Sequence, residues 1–199
     1  MVPAETPSEK REVKWDTGDY YDASFAVKKS RRYHERLSSF YSGMSAIVSV
    51  ANMILGSTAF ITLAGGKSTI VAQICSVLVV SLSGAEKFYK LNAKSQTHEA
   101  LKKQFIDLDI KLVKLSPTPK NLETVVSRRL EIEKGDFPVK RLVDLMAAND
   151  VMGELGYPHE DLVPLGWWQE RLGYFFTFGM KRLERWREKK RVEDRIAVG

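Results

Sequence analysis

Between Gly43 and Ala85 the chain carries a single charged residue, Lys67. No other feature limits the fold as strongly. Met44–Ala64 and Ser68–Ala85 are uncharged throughout. Each is close to the roughly 20 residues that cross about 30 Å of hydrocarbon as an α-helix. Each holds eight Leu, Ile, Val or Phe, which favour insertion by roughly 2.5 to 5 kcal/mol per span. Polar residues erode that gain, so the spans are expected to insert as a pair. Gly65-Gly66-Lys67 supplies the reversal, because glycine reaches positive φ without steric cost. The whole-chain mean hydropathy of −0.25 hides this block within otherwise charge-rich sequence.

Charge sets the expected orientation. Lys28, Lys29, Arg31, Arg32 and Arg36 precede the first span, and Lys87, Lys90 and Lys94 follow the second. Eight cations against one in the turn place both ends on the cytoplasmic side. The net charge of +6 suits a bilayer with anionic headgroups better than nucleic acid, for which no recognition pattern is present. The one cysteine, Cys75, lies in the second span and permits no intramolecular disulfide. The first apolar stretch is too long and too far from Met1 for an ordinary secretory signal, and is read as retained.

Each span carries a polar stripe at helical spacing. In the first it is Ser45, Ser49, Asn52, Gly56 and Ala59; in the second, Thr69, Gln73, Ser76, Val80 and Ser83. Two readings stay open: close packing of helices through small and hydrogen-bonding residues, or the wet lining of an oligomeric pore.

Outside the block the chain reads as helical. Residues 1–19 form a tail and 20–42 a basic helix entering the first span, with Tyr33, Phe40 and Tyr41 suited to the headgroup region. From Glu86 to about Leu115 one helix is expected. Its seam of Leu91, Leu101, Phe105, Leu108, Leu112 and Leu115 suits an oligomer or a bundle, and Ile106, Ile110 and Val113 form a second face. Thr118-Pro119 caps the next helix, and Pro138 opens a third on which Val139, Leu142, Met146 and Asn149 share a face. The cytoplasmic helical region thus spans 86–156. The segment 157–199 is aromatic, then basic, with eight Lys or Arg against four acids over 181–195. Its Trp167 and Trp168, with Phe175 and Phe176, either lie in the membrane interface or cover the bundle.

Catalytic patterns fail at identifiable positions. Gly66-Lys67-Ser68-Thr69 resembles the end of a phosphate loop, yet Ile61 stands where a glycine belongs. His98-Glu99 begins like a zinc-protease helix, yet Lys102 replaces the second histidine. No enzyme, metal or cofactor is expected.

The order of a basic aromatic helix (KKSRRYHERLSSFYS), two spans, a long helix (EKFYKLNAKSQTHEALKKQFIDLDIKL) and two shorter ones (LETVVSRRLEIEKG, VKRLVDLMAANDVMG) resembles the SLATT domain proteins, two-transmembrane effectors of bacterial conflict systems. The likeness covers roughly residues 20–155. It implies an inner-membrane effector of antiphage or self-limiting immunity that oligomerises and perturbs the membrane when a separate sensor protein or nucleotide signal triggers it. The competing expectation is a passive anchor or scaffold whose helical part binds a protein partner. The fold class expected is an all-α membrane protein, a transmembrane hairpin with long cytoplasmic helical extensions.

Overall fold

The computed structural model describes residues 17–66, 69–135 and 138–186, with 188 and 190. The tail before residue 17, Lys67 in the expected turn, and Arg187, Lys189 and residues 191–199 of the final basic segment lie outside them. Among the described residues every regular element is helical.

A single helix, α1 (Thr17–Ala64), carries the basic segment and the first apolar stretch without a break. No Pro occurs between Thr17 and Ala64, so nothing interrupts its hydrogen-bond ladder. It ends at Gly65-Gly66, where Gly66 takes φ +63°. The second apolar helix, α2 (Thr69–Tyr89), packs back along the latter half of α1. It stops sooner than expected: Lys90 adopts φ 52°, and α3 (Leu91–Lys114) starts after it. The left-handed residue turns one expected helix into two. Leu115 lies beyond the end of α3 in extended conformation, 36% exposed, and so leaves the seam in which it was expected.

Thr118 caps α4 (Pro119–Glu133) by accepting the Asn121 N–H at 3.3 Å, with Pro119 in the first turn, where a missing N–H costs nothing. Pro138 does not open the following helix. α5 (Arg141–Glu154) begins three residues later, and Val139 is exposed rather than on its buried face. Gly153 sits inside α5. A 3₁₀ turn (His159–Asp161), the short α6 (Trp167–Leu172) and a helical stretch from 180 complete the described chain.

Residues 17–42 of α1 form one wall of a bundle. Val27 packs with Leu101, Phe105, Leu108 and Leu112 of α3 and with Val125 and Ile132 of α4. Tyr33, Leu37 and Tyr41 pack with Val143 and Ala147 of α5. On the other side of α5, Leu142, Leu145 and Met146 pack with Val163 and Leu183. The α3 seam is therefore filled from within the chain. The second face expected on α3 is not: Ile110 and Val113 are exposed.

The apolar helices behave differently. Both are long and apolar enough to cross a membrane, and only 6% and 11% of their most apolar windows is buried. A core helix of a globular protein would bury a whole stripe.

Candidate functional site

The two apolar helices meet through Ala59 of α1 and Ala72 and Cys75 of α2, all buried. Two polar contacts fix the register, Ser45 with Glu86 and Asn52 Nδ2 donating to Ser83 Oγ at 3.0 Å. Asn52 Oδ1 is buried with no partner among the described residues.

The expected stripes divide at this contact. Ser45 and Asn52 lie on it. Ser49, Gln73 and Ser76 are exposed, and Ser76 Oγ bonds back to its own helix at Ala72 O, 2.8 Å. Gly56 is not a point of close approach, since a Cβ built there meets no heavy atom within 4 Å. At 3.6 residues per turn, Ser49 and Gly56 flank the contact on α1 as Gln73, Ser76 and Ser83 flank it on α2. In an antiparallel pair the Asn52–Ser83 bond brings those two flanks to the same side. The other side carries exposed Ile47, Ile54, Val71, Ile74 and Leu78. The pair thus has one mainly aliphatic side, with Thr58 among its members, and one side on which these small and polar groups alternate with exposed Phe60 and Val80, neither covered within the chain. Packing of α1 on α2 accounts for only part of the polar pattern.

Below the pair, the cations expected at the headgroups are engaged elsewhere. Lys29 pairs with Asp144 at 2.9 Å, Arg31 with Asp109 at 3.4 Å, and Arg32 with Glu35 at 2.6 Å and with Glu154. Arg36 grips Asp150 with two nitrogens at 2.6 and 2.7 Å. That two-pronged bond raises the guanidinium pKa further above its already high value. Of the five, Lys28 alone has no ion pair among the described residues. These charges bind α5 and α3 to α1, and sequence reasoning missed the role because the acids lie far along the chain.

Next to them is a pair the sequence analysis did not single out as a unit. His34 of α1 and His98 of α3 are buried with Nδ1 atoms 3.0 Å apart. Phe105 stacks on His34 at 5.4 Å and Tyr41 on His98 at 5.8 Å. Burial, then the neighbouring His98, hold His34 down at about 3. Burial, then the positive charges of Lys140 and Lys94, hold His98 at about 4. Both rings are neutral near pH 7, and the pair cross-links α1 to α3 as an aromatic stack.

The C-terminal aromatic segment divides as sharply. Tyr174 and Phe178 pack inward. Trp167, Trp168, Phe175 and Phe176 are each more than half exposed, so they do not cover the bundle. Buried Gln169 holds their scaffold, accepting the Gly166 N–H at 2.9 Å and donating to Phe178 O at 3.2 Å. Gly173 permits the close approach, because a Cβ there would meet Leu142 and Met146 at 3.0 Å.

No three His, Cys, Asp or Glu among the described residues are grouped to hold a metal ion. Compared with known proteins, the chain matches no family model, no curated protein and no solved structure.

Proposed function

We propose that the chain is an oligomeric inner-membrane effector. Its two apolar helices form a transmembrane hairpin that, once assembled, forms or disrupts a pore under control of the cytoplasmic bundle. The uncovered polar side of the helix pair carries this reading. Gln73, Ser49 and Ser76 project from helices whose other side is mainly aliphatic. Polar groups at membrane depth turn toward protein or water rather than lipid. A ring of copies supplies both, with the Ile-rich side outward. The α3 seam is filled by α1 and α4, so assembly would run through the hairpin. The eight flanking cations favour cytoplasmic ends, and the helix order shared with SLATT proteins suggests a role in antiphage or self-limiting immunity.

The second reading, an anchor whose bundle binds a protein, draws on exposed Ile110 and Val113 of α3 and exposed Leu130 of α4. Gln73→Leu separates the two. In the monomer Gln73 is exposed, so the change removes no helix contact; Asn52→Leu would also break the bond to Ser83. The test is expression with the genomic neighbours and a dye readout of membrane potential. Depolarisation that Gln73→Leu abolishes while the protein stays inserted supports the pore. Unchanged potential and viability with the wild-type chain would overturn it and leave the anchor.

A further inference from the structure

We propose that the turn formed by α6 and residues 173–176 is a second membrane contact, a rigid aromatic wedge seated in the bilayer interface beside the hairpin. The inference rests on the membrane reading above and adds a lipid-binding surface outside the spans.

Position is the first argument. Tyr174 stacks on Phe40 at 4.4 Å and Phe175 meets the same ring edge-on at 5.0 Å. Phe40 stands three residues before Gly43, where the uncharged block begins, about 4.5 Å along the helix axis. The wedge is therefore docked at the level where α1 would enter lipid. On the other helix of the pair, the Ser45–Glu86 contact sets Phe88 and Tyr89 level with the start of the same block. Phe88 is 81% exposed. Exposed aromatic rings thus flank the base of the pair on two sides, in the manner of an interfacial aromatic belt.

Composition and rigidity are the second argument. Trp168 and Leu172 are one helical turn apart, and the amides of Phe175 and Phe176 both bond Leu172 O, at 2.9 and 3.0 Å. The exposed rings sit on this one short turn as two pairs, Trp167 with Trp168 at 4.5 Å and Phe175 with Phe176 at 6.2 Å, an aromatic patch that Phe175 ties to Phe40. Such a patch marks a binding surface. Tryptophan is suited to the interface, with an apolar body and one polar N–H. Lys181, Arg182 and Arg185, exposed on the following helix, add charge that anionic lipid complements. The occupant assigned is the headgroup–acyl boundary of an anionic bilayer.

The test uses the full chain with Trp15 and Trp186 replaced by Phe, leaving Trp167 and Trp168 as reporters. It is reconstituted in phosphatidylcholine–phosphatidylglycerol vesicles with bromine carried high or low on the acyl chain. Carbonate washing reports in parallel on insertion. Expected is retention after carbonate, quenching several-fold stronger by shallow than by deep bromine, and weak quenching by aqueous acrylamide. Retention with strong acrylamide quenching and none by bromine overturns the wedge but not the hairpin. Protection from both quenchers places the rings against protein, such as a second copy, and also overturns it. Release by carbonate overturns the membrane reading and the wedge with it.

Discussion

Acid should loosen the bundle through His34 and His98, and the size of the effect follows from their burial. In the unfolded chain each imidazole titrates near pH 6.5. At pH 5 protonation then favours the unfolded state by RT ln(1 + 10^1.5), about 2 kcal/mol per histidine. In the folded protein the rings titrate at about 3 and about 4, so the native state recovers almost none of this. The sign follows: the folded pKa values are depressed, so the unfolded chain binds more protons below 6.5. Stability is fully present above that value, falls as pH drops, and levels only near 3 to 4. Between pH 8 and pH 5 the pair should cost about 4 kcal/mol, or roughly 10 °C of melting temperature for a chain of this size. The pull of Lys102 and Ser38 on Glu99 lowers that carboxyl, so its own contribution falls below this window. Near-UV circular dichroism melts in mild detergent would measure the difference. His34→Gln with His98→Gln should remove most of the acid sensitivity, whatever it does to the absolute midpoint. A double variant that keeps the full drop between pH 8 and pH 5 would show that the two rings do not set the acid response.

Two further changes probe the joints between elements. Lys90→Gly relieves a left-handed backbone at a non-glycine residue and should stabilise the fold by about 1 kcal/mol, read as a higher melting midpoint. Asp150→Asn removes the charge that Arg36 grips and should destabilise the bundle by roughly 1 to 2 kcal/mol, a modest figure because both side chains are about one-third exposed. The matching measurement is the same melt, with Arg36→Gln/Asp150→Asn losing less than the sum of the single changes.

What could be read locally came from the sequence. The two apolar helices follow from a run without charge, and the reversal from Gly65-Gly66, where backbone freedom is a property of the residue. The start of α4 follows from Thr118-Pro119, whose capping group and ring act within one turn. The seam of Leu101, Phe105, Leu108 and Leu112 follows from periodicity, which identifies a buried face without naming what buries it. The break at Lys90 had no such signal, since lysine has no preference for positive φ.

The tertiary structure decided the partners. Lys29, Arg31, Arg32 and Arg36 look like headgroup cations until α5 brings Asp144, Asp150 and Glu154 across more than a hundred residues. Ser45 and Asn52 belong to the same sequence stripe as Ser49, and Gln73 to the same stripe as Ser83. Only the rotation of α2 on α1 turns some inward and leaves Gln73 and Ser49 outside. His34 and His98 gain their shared chemistry because α1 and α3 press them together, and Trp167 and Trp168 become surface because Tyr174 and Phe178 take the inward places. A helix period fixes which residues share a face. Which face meets which neighbour depends on free energy summed over the whole packed chain, and no local pattern carries that sum.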